Sequence, residues 1–162
     1  MTSNDVIRNT MNQAHFILQS YVADLTDADL LVRPVPGANH IAWQLGHVIA
    51  SEHDMAAACG YDMPALPDGF AKAHGKETAG SDDAAVFKTK AEYLELLEKQ
   101  RAAALAALDA TPDARLDEPA PEPMRAYAPT IGAMFNMLGI HELMHAAQFV
   151  VVRRKLGKPP LF

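Results

Sequence analysis

Apolar residues recur along four stretches of the chain with the 3.6-residue period of an amphipathic helix. In the first, about Asn4 to Leu25, they are Ile7, Met11, Ala14, Leu18, Tyr21, Val22 and Leu25. Thr26-Asp27 and Asp29 close that stretch in a short turn, and Leu30 and Leu31 tuck against the core. Arg33-Pro34-Val35-Pro36-Gly37-Ala38-Asn39 then breaks the pattern, because two prolines and a glycine do not continue a helix. Asn39 is the expected N-cap of a second helix from about His40 to Ala58, with Ile41, Leu45, Val48, Ile49 and Met55 on its apolar face.

Residues 59–80 hold Gly60, Pro64, Pro67, Gly69, Gly75 and Gly80 and predict a long loop with room for a short helical piece, and 81–88 is a helical turn or a lead-in. Thr89-Lys90-Ala91-Glu92 is a capping box and opens a third helix to about Leu108, buried through Tyr93, Leu96, Leu97, Ala104 and Leu108. Pro112, Pro119, Pro121, Pro123 and Pro129 make 109–129 an extended crossover. A fourth helix runs from about Thr130 to Leu156, with Ile131, Met134, Leu138, His141, His145, Gln148 and Val152 on one stripe. Gly157, Pro159 and Pro160 end it. No stretch alternates with a strand's period. The expectation is a single all-α domain over 1–162, a four-helix bundle with long crossover connections.

Composition narrows the function classes. A chain of 162 residues with 49% hydrophobic and 21% charged residues is long enough for a real core and is not a disordered polymer. A net charge of −6 gives no basic surface for nucleic acid or anionic lipid, and no apolar run is long enough for a membrane span. Cys59 is the single cysteine, which excludes an internal disulfide and fits a reducing compartment. The first residues show no basic and then apolar signal segment, so the expected location is cytoplasmic.

The chemistry concentrates in His141-Glu142-Leu143-Met144-His145. On a helix, residues i and i+4 lie about 40° apart around the axis and roughly 6 Å along it, so both imidazoles face one point in space. The string matches the H-E-x-x-H pattern of zinc proteases, in which the Glu is the general base. Such proteases take a third ligand downstream, yet residues 146–162 contain no His, Asp, Glu or Cys. A third ligand must therefore come from upstream, among His15, His40, His47, His53 and His74.

His47 is the strongest candidate, flanked by Leu45 and Val48 on the inward side of the second helix. His53 lies six residues on, about 240° around, and points elsewhere. His40 sits near the helix start and reaches only the rim, His74 reads as a solvated loop residue, and His15 is a weaker spare on the first helix. An inward His bonded to a backbone carbonyl is the competing reading of His47 taken alone. Glu142 is either a general base, a partner to the ligands, or a helix-surface carboxylate in an ion pair. Gln148, one turn past His145, is placed to orient a substrate or ligand; Trp43 and Met144 are core residues or pocket wall; Cys59 reads as an inert thiol.

The segment Asn39-His40-Ile41-Ala42-Trp43-Gln44-Leu45-Gly46-His47-Val48, taken with His141, His145, Gln148 and the ending Arg153-Arg154-Lys155-Leu156-Gly157, resembles the DinB-like superfamily. The resemblance implies a four-helix bundle with one metal-binding His from the second helix and two from the last, here His47, His141 and His145. It implies zinc or nickel, a homodimer, and relatives that include transferases and isomerases using the low-molecular-weight thiols mycothiol and bacillithiol. Three function classes follow: a metal-dependent hydrolase or thiol-dependent transferase acting on a small molecule, with Glu142, Gln148 and Trp43 around the site; a non-catalytic metal-binding, stress-associated dimer; and a plain interaction bundle with structural histidines. Three imidazole ligands leave coordination positions open, the arrangement of catalytic rather than structural sites.

Overall fold

The structure, a computed structural model, describes residues 1–162. It is all-helical: α1 Ser3–Val22, α2 Asp27–Leu30, α3 Ile41–Ala58, α4 Phe70–Ala73, α5 Lys90–Ala110, α6 Asp113–Leu116 and α7 Ile131–Lys155, with three short 3-10 turns between them. Four of these are long and form the bundle, and the short ones lie in its connections. No helix is long and apolar enough to cross a membrane.

Capping sets the helix starts. Thr89 and Glu92 form the expected capping box, and the Thr130 side chain caps α7 by accepting from the Ala133 N–H. Two further boxes, Thr2 with Asp5 and Thr26 with Asp29, start α1 and α2. The second long helix differs from expectation in its cap. His40, not Asn39, is the N-cap: its Nδ1 accepts from the Trp43 N–H at 3.0 Å, and its Nε2–H donates to the Ser81 carbonyl at 3.2 Å. Both ring nitrogens are spent, and burial lowers the His40 pKa. That removes His40 from the candidate ligands.

The long helices pack as a closed ring in the order α1, α7, α3, α5. Pairs across the interfaces give their directions. Met11 meets Gly139, His15 meets Glu142 and Tyr21 meets Arg153, so α1 and α7 run parallel. Gln44 meets His145 at one end of the α3–α7 seam, and Met55 and Met137 line the other, so these two run antiparallel. Asn4 meets Leu108 and His15 meets Glu98, so α5 runs against α1 and therefore parallel to α3. A parallel pair needs a connection that travels back along the bundle. For the 18 residues of α3 that is roughly 27 Å, which accounts for the long segment 59–89.

That segment is not a solvated loop. Phe70 and His74 are buried, and His74 is 2% exposed. Its Nδ1–H donates to the Phe70 carbonyl at 2.8 Å, and its Nε2 accepts from the Tyr93 hydroxyl at 2.7 Å. The solvated reading of His74 is therefore corrected: the ring is a bolt that holds the return segment against α3 and α5. Gly46 is its seat. A Cβ there would lie 2.0 Å from His74 Cδ2, with the ring held on both sides. In an open helix, Gly→Ala gains about 1 kcal/mol. At this position overpacking reverses the sign, and Gly46→Ala is expected to destabilise by about 2 kcal/mol in urea unfolding.

The core has an upper and a lower apolar cluster, centred on residues such as Leu45, Tyr93 and Phe149, and Met11, Leu108 and Phe135. In addition, every long helix gives one polar side chain to a layer in the bundle interior: His15 from α1, Glu52 from α3, Arg101 from α5 and Glu142 from α7. Glu52, Arg101 and Glu142 are essentially unexposed. Arg101 bridges the two carboxylates, 3.0 Å from Glu52 Oε2 and in direct contact with Glu142 Oε2. His15 Nδ1–H donates to Glu142 Oε1 at 3.0 Å, and its other nitrogen lies 3.1 Å from Glu98 Oε1. Burial opposes charge on His15, but its hydrogen bonds to Glu142 and Glu98 prevail and raise its pKa. Glu52 is pushed up to about 7, chiefly by burial, against the pull of Arg101.

Candidate metal centre

The cluster sits in the α3–α7 seam, beside the buried polar layer. His47 projects from the middle of α3, and His141 and His145 project from successive turns of α7. One ligand nitrogen from each lies within 4.8 Å of the other two. The His47 ring stands 5.2 Å from the His141 ring and 5.1 Å from the His145 ring, centroid to centroid. His141 and His145 lie edge to face, with their Nε2 atoms 3.2 Å apart. Two nitrogens bound to one tetrahedral zinc at 2.0–2.1 Å are about 3.3 Å apart, so this pair already has the spacing of co-ligands.

The tautomer of His145 follows from its neighbours. Gln44, 1% exposed, donates from Nε2 to the Asn39 carbonyl at 3.0 Å, which turns its Oε1 toward His145. That oxygen only accepts, so the His145 Nδ1 at 2.9 Å carries the hydrogen. The Nε2 lone pair is then left facing His141 and His47. A ligand imidazole held through its far nitrogen by an amide or carboxylate is the usual outer support of a metal site.

His47 is held differently. Its ring stacks on Trp43 with centroids 4.9 Å apart and planes 8° from parallel. Trp43 is in turn fixed by its indole N–H, which donates to the Gly75 carbonyl at 3.2 Å. The return segment therefore reaches the site through Trp43 as well as through His74.

All three rings are partly buried and favour the neutral, lone-pair-bearing form. Burial lowers the His47 pKa, with the nearby His74 backbone carbonyl working against it. His141 falls to about 4 through burial and proximity to His47. His145 falls to about 3 through burial and its two imidazole neighbours. Clustered imidazoles that resist protonation are a donor set suited to a divalent cation.

The remaining expected site residues fall elsewhere. Trp43 is buried and backs His47. Gln148 is exposed on the outer side of α7. Glu142 is not a surface carboxylate: it is fully buried, turned toward α1 and α5, and engaged by Arg101 and His15. His15 belongs to the same charged layer, and His53 is a partly exposed ring 3.0 Å from Asp54. Cys59 is buried, and burial raises its thiol pKa, which keeps it protonated. The support that Gln44 gives His145 belongs to no motif in the sequence. Its one signal there is an amide one helical turn before Val48, on the apolar side of α3.

An open groove of about 520 Å³ leads away from His141 along the same seam. Met55 of α3, Met137 and Met144 of α7, and Tyr127 of the preceding crossover form its apolar wall.

A sequence model of the DinB superfamily matches residues 12–149, a span that includes all three histidines. Among solved structures, the chain is similar to a crystal structure described as a conserved protein of a locus from Enterococcus faecalis. The two share 17% identity and a TM-score of 0.71, covering 98% of this chain and 99% of the other. At that identity the likeness concerns the fold. No curated protein matches the sequence.

Proposed function

The chain belongs to the DinB superfamily, and on that premise we propose that it binds one divalent metal ion through His47, His141 and His145 and acts as a metal-dependent enzyme on a small molecule. The observation that carries the proposal is the convergence of three imidazoles from two helices, one with its tautomer set by Gln44. Zinc and nickel both suit an all-imidazole donor set. Bound there, such an ion supplies a Lewis acid that lowers the pKa of a coordinated water or thiol. The chain's own part is to hold three ligands on two rigid helices and to leave the side facing the groove open.

The reaction classes we carry forward are hydrolysis and transfer or isomerisation dependent on a low-molecular-weight thiol. The alternative is a metal-binding bundle without turnover. Glu142 enters neither as a base: its ion pair with Arg101 and its bond from His15 give it a supporting role beneath the ligand helix. A homodimer belongs to the same reading and is measured by sedimentation.

Elemental analysis of the purified protein tests the proposal. One equivalent of zinc or nickel per chain, removed by a chelator, supports it, and absence of metal after growth in supplemented medium refutes it. A screen of thiol conjugates, esters and amides with and without chelator then separates enzyme from passive binder. A sharper result is expected from Gln44→Leu. Removing the outer support of His145 is expected to weaken metal affinity about 10- to 100-fold while the helical circular dichroism stays unchanged. Competition against a metallochromic dye measures it.

A further inference from the structure

The groove beside His141 has a composition that selects. Met55, Met137 and Met144 present three flexible thioether side chains, and Tyr127 completes the apolar lining. Its one formal charge is the exposed carboxylate of Asp54; no lysine or arginine lines it. The chain around it carries a net charge of −6. From Met144 to Met137 is seven residues of helix, roughly 10 Å, which fits an extended arm of several carbons. Methionine walls adapt to ligands of irregular shape and reward apolar contact. The wall is unlike the solvated face expected of an exposed seam, and it opens onto the histidine cluster rather than into the core.

We propose that this groove is the substrate arm site, and that it takes an apolar chain bearing a cationic group that pairs with Asp54 while excluding carboxylates. The assignment rests on the reading of the histidine cluster as the reacting centre, of which His141 lines the groove. The apolar part of the arm lies between Met144 and Met55, and its cationic group meets the Asp54 carboxylate at the rim. An anionic group in that position meets Asp54 and the negative field of the whole chain; no lysine or arginine of the lining offsets them, and the neighbouring His53 is already engaged with Asp54 Oδ1 at 3.0 Å.

The test uses the full chain with 13C-methyl-labelled methionine and two probes of equal length, hexylammonium and hexanoate, at low ionic strength. Both titrations are run after chelator treatment, so that carboxylate binding to metal does not intrude. The expected result is saturable movement of the Met55, Met137 and Met144 methyl signals with hexylammonium. Met11 and Met134, buried in the core, stay fixed and serve as internal controls. Hexanoate should bind about tenfold more weakly, and Asp54→Asn should remove most of the difference. Equal affinity for the two probes in the wild type overturns the proposal, as does equal movement of the core methyls. Groove methyls that never move also overturn it, including the case in which sedimentation shows a second copy of the chain covering Met144. Elemental analysis of the purified protein before chelator treatment keeps the two readings apart. Groove binding in a protein that held no metal before the chelator defeats the metal centre alone, and a protein purified with metal whose groove stays silent defeats the arm site alone.

Discussion

His47→Ala should reduce bound metal from one equivalent per chain to a trace. The two histidines left on α7 share a helix and a spacing, but His47 alone brings a ligand from the opposite wall of the seam. Losing a group that only supports a ligand costs 10- to 100-fold in affinity; losing a ligand should cost at least about a hundredfold. The apo fold should survive, because the His47 ring is partly exposed and its main packing partner, Trp43, keeps its own bond to Gly75. The readout is metal content after dialysis, paired with thermal unfolding. Metal added to wild type should raise Tm by mass action on the folded state, and the same addition should leave His47→Ala unmoved. His53→Ala, at a ring on the outer side of α3 beside Asp54, is the matched control and should retain its ion. A His47→Ala protein that holds a full equivalent through dialysis would remove the three-imidazole centre from consideration.

The helices themselves were legible because periodicity and capping are local. Thr89 with Glu92, Thr130, and the Gly157 terminator lie within a few residues of what they control, and the observed boundaries fall within about three residues of those expected. The pair His141 and His145 was legible for the same reason, since i and i+4 share a face whatever the bundle does around them. What failed was orientation on α7. That helix is apolar on nearly every side, so its pattern does not choose between the stripe through His141, His145 and Gln148 and the adjacent one through Glu142, Ala146 and Phe149. The second is the buried one. The first stripe carries Gln148 inward, where the structure leaves it exposed, and leaves Glu142 open between base, ligand partner and surface carboxylate, where the structure buries it. The partners that decide such cases are remote in sequence: Glu142 with Arg101, His145 with Gln44, His74 with Tyr93 and the α-carbon of Gly46. One hint was available all the same. His15, Glu52 and Arg101 each sit on the apolar stripe of their own helix, and a charge at a core position on three helices calls for a counter-charge on the fourth.

That layer carries the second large prediction. Arg101→Leu should destabilise the fold by about 3–5 kcal/mol at pH 8, because it leaves the Glu52 and Glu142 carboxylates buried without their cation. This is a large share of the stability of an ordinary domain, about 5–15 kcal/mol. Loss of the arginine's packing alone would be insensitive to pH, whereas loss of its charge is not. Glu52 already binds its proton more tightly folded than unfolded, with a pKa of about 7 against the 4.5 of an ordinary glutamate. A raised folded pKa adds stability below the unfolded value, and that contribution fades as pH rises through the folded one. His15, also raised, acts in the same direction. Without Arg101 the pull that lowers Glu52 is gone, so its folded pKa climbs further and the advantage of acid grows. The urea midpoints of wild type and Arg101→Leu should therefore lie closer at pH 5 than at pH 8. Adding Glu52→Gln and Glu142→Gln to Arg101→Leu should recover most of the loss at pH 8, since the unpaired charges and not the missing guanidinium cause it. If the deficit is the same at both pH values and the added glutamines recover none of it, Arg101 acts through packing, and the buried layer is not held together by charge.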